Sequence, residues 1–282
     1  MFLGALLAAI LGLLCERPRA AMRAAFKQRP WIVWALPLLL TGYFLLASLT
    51  EGQANPSLIA IVLAYTAAPV ACAYFGGPDF LTILLLWLPL EFPAPAAKLI
   101  ARHAQGFLHS VAYGIAILLG LALFAGFRGM QGMKYNLPRS WRDLRLPLVG
   151  FAVTAPVLAV VGTAIGFIPP PHWPAAGAGR MASAMAIIFA GTALPEEILF
   201  RSMIQNLLMQ RFGATARTLF VSALIFGAAH LDNGPQPLPN WRYMILATIA
   251  GFAYGKVFQK SSTVLASALF HMLVDWTRHF FF

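Results

Sequence analysis

Charge is scarce in this 282-residue chain, and acid is scarcest of all. Nine Asp and Glu stand against twenty Lys and Arg, while 60% of the residues are apolar. A soluble protein is about a quarter charged and nearer half apolar, so no aqueous core hides this much apolar surface. The solvent must be lipid. Cysteine is almost missing too. Cys15 and Cys72 both lie in apolar runs, where a thiol behaves as a small hydrophobe, and there is no CxxC, Cys-rich zinc pattern or disulfide framework. Nor is there a nucleic-acid-binding module. The net charge of +11 sits in short clusters between apolar runs, as the positive-inside bias predicts, and no nucleic-acid partner is expected. The first apolar run, 1–15, has no basic residue before it, and Arg17, Arg19, Arg23, Lys27 and Arg29 follow it. A span or re-entrant anchor is expected there rather than a signal peptide. Its length falls short of the roughly 20 residues a comfortable crossing needs.

What is present is a series of continuous apolar runs, at 1–15, 31–50, 57–75, 80–97, 106–127, 148–168, 181–200, 218–236, 243–258 and 263–282. None alternates as a barrel strand does, so helices are the spanning elements. The expectation is an all-α, polytopic transmembrane bundle of about 8–10 membrane helices. With an outside N-terminus and one crossing per run, fourteen Lys and Arg fall in the inside segments and five in the outside ones, which supports that orientation. Segment 128–147 contains Ser140-Trp141-Arg142-Asp143, a helix-start signal, and reads as a short cytoplasmic interfacial helix. Pro169-Pro170-Pro171 reads as a stiff turn on the opposite side. A boundary near 147 would separate an N-terminal membrane region of unknown role, 1–147, from a helical bundle, 148–282, whose motifs lie within 181–282.

An ionisable side chain at the centre of a membrane helix costs roughly 2.5–3.5 kcal/mol on insertion scales. Three of the nine acids nonetheless fall in apolar helices of the last hundred residues. In Pro195-Glu196-Glu197-Ile198-Leu199-Phe200-Arg201, Glu197 and Arg201 are four apart and can pair. Glu196 points about 100° away, free to face a cavity. Pro195 removes a backbone donor and frees the carbonyl of Gly191, loosening the helix just before the acids. Phe226-Gly227-Ala228-Ala229-His230 places small residues, which permit close helix approach, between its two larger ones. His271 and Asp275 are again four apart on the last run. A carboxylate and an imidazole can deprotonate water for attack on a peptide carbonyl. A second imidazole with Asp275 can donate or orient hydrogen bonds toward the oxyanion.

Glu-Glu-x-x-x-Arg, then Phe-x-x-x-His, then His-x-x-x-Asp, on successive apolar helices, resembles the CPBP family of intramembrane proteases. That family includes the type II CAAX prenyl endopeptidases and bacterial proteins linked to bacteriocin processing and self-immunity. The resemblance covers residues 181–282. It implies a multi-pass integral protein of a prokaryotic cell membrane that cleaves a membrane-associated or lipid-modified protein or peptide. Glu196 would activate water with His230 as its partner. His271 and Asp275 would stabilise the oxyanion, while Glu197, Arg201 and Phe226 would support the geometry. Asp275 stands where many relatives carry Asn; an ionised Asp cannot donate, so here it would be protonated or would orient His271.

Blander readings compete. Glu197 and Arg201 alone read as a structural ion pair, Phe226 as a packing wedge, and Asp275 as an interface anchor beside Trp276 and Arg278. Glu91 precedes Phe92-Pro93 at a run's end, and His103, His109, His172 and His279 lie at or near the ends of runs. Glu196, His230 and His271 also suit an open zinc site, but without His-Glu-x-x-His a mechanism requiring no cofactor is the expectation and Zn2+ the alternative. The non-enzymatic rival is a membrane scaffold or immunity-type binding protein. A proton-coupled transporter would require inverted repeats, and none is evident.

Overall fold

The computed structural model describes residues 1–91, 106–234 and 237–282. They form two compact units, Met1–Gly132 and Met133–Phe282, and among the described residues there is no strand. The first unit contains α1 (Phe2–Gly12), α2 (Glu16–Gln28), α3 (Pro30–Thr50), α4 (Pro56–Tyr74), α5 (Asp79–Glu91) and α6 (Phe107–Phe127). The second contains α7 (Trp141–Ala164), α8 (Ala178–Phe212), α9 (Ala216–Ala228), α10 (Trp241–Lys260) and α11 (Val264–Phe281). Five of these, α3, α4, α6, α7 and α8, are long and apolar enough to cross a membrane; α1, α9 and most of α5 are shorter apolar helices. The polytopic all-α bundle is therefore as expected. The far part of the 80–97 run and His103 lie outside the described residues.

Lipid-facing surface explains an exposure pattern that water would punish. On α7, Val153, Val157 and Val160 are all exposed, at spacings that line one helical face. On α3, Leu38, Leu39, Leu46 and Leu49 do the same. By contrast, α6 is largely enclosed and forms the centre of the first unit. At its end, Arg128 pairs with Asp79 and donates to the carbonyls of Cys72 (3.2 Å), Ala73 (3.3 Å) and Gly77 (2.6 Å). The cation thus adds to the backbone hydrogen bonds that close the C-terminus of α4 and the turn after it.

The second unit uses the same device. Lys134, in a left-handed conformation at φ 51°, donates its ammonium to the carbonyls of Phe258 (2.7 Å), Gln259 (3.1 Å) and Ser261 (2.9 Å) at the end of α10. Asp143 accepts from the backbone N–H of Ser140 at 3.2 Å, from the Ser262 N–H at 2.7 Å and from the Ser262 hydroxyl at 2.6 Å. The helix start read at Ser140 is real. The separate interfacial helix is not, because α7 begins at Trp141 and runs unbroken to Ala164. Pro147 removes only the hydrogen bond to the carbonyl of Asp143, within a first turn already anchored by that side chain. Segments 128–147 and 256–262, both assigned to the inside by their basic residues, meet through Lys134 and Asp143 at one end of this unit. Across residues 165–177 the chain turns without a regular helix, and the His172 N–H donates to the Phe281 carbonyl at 2.8 Å, tying the turn to the end of α11.

Two run boundaries differ from expectation. The 181–200 run is part of a 35-residue helix ending at Phe212, since Arg201 finds a buried partner and does not end the apolar stretch. The 218–236 run ends as helix at Ala228, and His230 sits in the turn after it. Asp232, Asn233 and Gly234 follow, with Gly234 at φ 91°, a backbone that favours glycine and stops a helix.

Candidate active site

The site grows out of a weakness in α8. Pro195 has no N–H to donate, and around it the helix widens into π-type turns at Phe189–Ala193 and Ile198–Gln205, flanking a short regular turn, Leu194–Glu197. Such bulges redirect side chains and recur at functional sites. Here they turn Glu197, Arg201, Ser202 and Gln205 inward, all fully buried. Arg201 Nε donates to Glu197 Oε2 at 3.0 Å, the pairing the spacing predicted. Its guanidinium carbon lies 4.8 Å from the ring centre of Phe226 and 5.9 Å from that of Tyr254, so two aromatic faces support a charge held away from water.

α11 brings His271 to this pair. Its Nδ1 lies 3.2 Å from Glu197 Oε1, and its Nε2 lies 3.9 Å from Glu196 Oε2 and 3.4 Å from Asp275 Oδ2. One imidazole therefore bridges the adjacent glutamates of α8 and the acid one turn along its own helix. Tyr254 of α10 stacks on it, with ring centres 4.6 Å apart and planes 20° from parallel, which fixes the ring's plane.

His230 is positioned by α9 and α10. Its Nδ1 lies 2.8 Å from the carbonyl of Phe226. A carbonyl only accepts, so Nδ1 carries the proton and the lone pair of the neutral ring is on Nε2. Its ring centre is 4.8 Å from Phe226 and 4.6 Å from Tyr243. Phe226 also lies 5.8 Å from His271, so this wedge spaces the two imidazoles as well as covering Arg201. The close approach of α9 to α10 depends on Gly227, where an added Cβ would fall 2.0 Å from Thr248 Oγ1 and 2.7 Å from the Met244 carbonyl. The glycine of the Phe-x-x-x-His motif is thus explained.

His230, His271 and Asp275 line a cavity of about 80 Å3 whose walls are otherwise mainly apolar, with Ala155 and Leu158 from α7 and Leu246 and Ala250 from α10. A second, wider cavity shares Phe167, Ile168, Asp275, Arg278 and Phe282 with it. The structure thus joins Glu196, Glu197, Arg201, His271 and Asp275 by direct contacts and places His230 and Phe226 on the same cavity. Sequence reasoning passed over Tyr243, Tyr254 and Arg278. The tyrosines carry no motif, and an arginine near a helix end looks like an interface anchor. As for zinc, no group of three or more His, Cys, Asp or Glu among the described residues is arranged to hold a metal. Glu196, His230 and His271 are therefore not gathered as a ligand set.

Residues 179–277 match a family model described as type II CAAX prenyl endopeptidase Rce1-like. The match runs from the first turn of α8 through most of α11 and so contains all three motifs, in the family they were expected to indicate. The comparisons with curated proteins and with solved structures each gave no match.

Proposed function

We propose that the second unit is an intramembrane endopeptidase that hydrolyses a peptide bond in a membrane-associated or lipid-modified protein, using water activated by Glu196 and His230. The observation that carries the reading is the meeting of Glu196, Glu197 and Asp275 around His271, at 3.9, 3.2 and 3.4 Å, beside a largely apolar cavity. Such a concentration of ionisable groups among apolar helices is costly, and the family match over the same residues supports a proteolytic use for it.

In this mechanism water sits between the Glu196 carboxylate and His230 Nε2. Glu196 takes its proton as the hydroxide attacks the scissile carbonyl. His271 donates toward the oxyanion from Nε2; Asp275, 3.4 Å from that nitrogen, orients the ring. Glu197, held by Arg201, fixes the other side of the ring through Nδ1. The proton gathered by the base then passes to the leaving amine, which balances the hydrolysis. No metal is required, so activity should survive exhaustive chelation, and loss of activity restored by added Zn2+ would contradict that part. The apolar cavity suits a lipid-modified or strongly apolar substrate. Membrane proteomics of new protein termini, comparing wild type with Glu196→Ala, tests the whole reading. A terminus found only in wild type supports it and names the substrate; identical sets of termini would overturn it.

A further inference from the structure

The start of α7 carries a basic pair that the hydrolytic chemistry does not use. Trp141, Arg142, Arg145, Leu146 and Val149 line a recess of about 430 Å3 on the surface of the second unit. Arg142 and Arg145 are three apart, which makes them neighbours on one helical face, and both are exposed. Two like charges at that spacing repel, and among the described residues neither arginine has a carboxylate partner. Asp143 stands between them in sequence, but it is buried and engaged with the backbone N–H groups of Arg139 (2.9 Å) and Ser140 (3.2 Å) and with Ser262. Further along the helix the same face turns apolar. At about 100° per residue, Arg142, Val149, Val153 and Val160 fall within about 20° of one line along α7, and the three valines are exposed. Ala155 and Leu158, which line the catalytic cavity, lie on the opposite side of the helix. Trp141 is 73% exposed, as aromatic residues at a membrane surface are, and it marks the end of the unit that the basic residues assign to the inside.

We infer that this face of α7 binds one anionic phospholipid of the inner leaflet, with Arg142 and Arg145 holding its phosphate and Leu146, Val149 and Val153 lying along its acyl chain. A guanidinium presents a planar fork that matches phosphate oxygens, and two forks on one phosphodiester remove their mutual repulsion. The apolar stripe fits the rest of the molecule. Half of a hydrocarbon core about 30 Å thick spans roughly ten residues of helix, which reaches from Arg145 just past Val153. A zwitterionic lipid offers the same phosphate but brings a further cation beside two arginines, so charge selects an anionic headgroup over it. A soluble anion has no chain to match the valines. Basic pockets against membrane helices on the cytoplasmic side take lipid headgroups in the same way. The site is separate from the catalytic cavity and does not depend on the proteolytic reading.

The full chain, purified in a neutral detergent, is titrated with phosphatidylglycerol, with phosphatidylcholine of the same acyl chains and with inorganic phosphate, and bound molecules are counted by native mass spectrometry. Wild type should retain one phosphatidylglycerol with an affinity roughly ten- to thirtyfold above that for phosphatidylcholine, the range for two arginines near a charged headgroup. It should retain no inorganic phosphate at the same concentration. Arg142→Gln combined with Arg145→Gln should bring the two lipid affinities together. Arg17→Gln combined with Lys27→Gln removes the same charge from exposed positions of α2 and should leave the preference unchanged. Equal affinity of wild type for the two lipids would overturn the inference. So would survival of the preference in the α7 double variant, or its loss in the α2 variant, which would assign it to diffuse charge. Inorganic phosphate bound as tightly as the lipid would overturn it in favour of a soluble anion.

Discussion

The two units answer the same lipid solvent in different ways. In Met1–Gly132 the buried polar side chains among the described residues are, apart from Arg19 on α2, hydroxyls that bond to backbone carbonyls or to one another: Thr66 donates to the Val62 carbonyl at 2.9 Å and lies 3.3 Å from the Thr41 hydroxyl, and Ser48 donates to the Leu45 carbonyl at 2.8 Å. The paired charges there, Arg128 with Asp79 and Glu16 with Arg19 and Arg23, serve helix ends or the amphipathic α2. In Met133–Phe282 full charges occupy the interior, with Glu197 and Arg201 wholly buried and His271 nearly so. The first arrangement is what stability alone asks of a membrane helix. The second concentrates desolvated charge around the residues proposed to carry the chemistry, and the proposal rests on that contrast.

The sharpest break of the contrast is at the imidazoles. His230→Ala and His271→Ala should each lower cleavage by roughly 10²–10⁴-fold, the range for a lost acid–base group, with normal accumulation in membranes; a peptide-cleavage assay in liposomes reads this. Arg201→Leu should act on stability instead. It leaves Glu197 buried without its cation, at a cost of about 3–5 kcal/mol, visible as a lowered unfolding midpoint in detergent. Gly227→Ala forces a methyl into Thr248 and the Met244 carbonyl, costing about 1–3 kcal/mol and lowering activity through His230 displaced with the end of α9. Thr66→Val, in the first unit, should cost under about 1 kcal/mol and leave cleavage unchanged. A Thr66 effect as large as that of Arg201 would erase the distinction between the units.

How much was readable beforehand follows from the physics of each feature. Spans were legible because lipid leaves no polar alternative for a helix surface, and α3, α4, α6 and α10 begin and end within a few residues of their apolar runs. The Glu197–Arg201 pair was legible because four-residue spacing fixes a shared face. The contact of His271 with Glu197 was not, since contacts between α8 and α11 depend on how the helices pack and leave no local spacing. Tyr254 and Tyr243 merge into the aromatic background of any membrane chain. The continuity of α7 was missed because a helix-start signal and Pro147 together imitate a short, separate element. His230 was expected inside a helix; the turn residues 232–234, which end α9 early, were outweighed by the apolar run preceding them.

The central claim is that the Glu196 carboxylate makes water nucleophilic inside the membrane. Glu196→Gln keeps the side chain's shape and removes the base, so its most direct measurement is the single-turnover cleavage rate of the purified variant in liposomes against wild type. A loss of at least about a hundredfold, with the same unfolding midpoint, is the expected result. A rate within a few-fold of wild type would show that the carboxylate does no chemistry and would contradict the account.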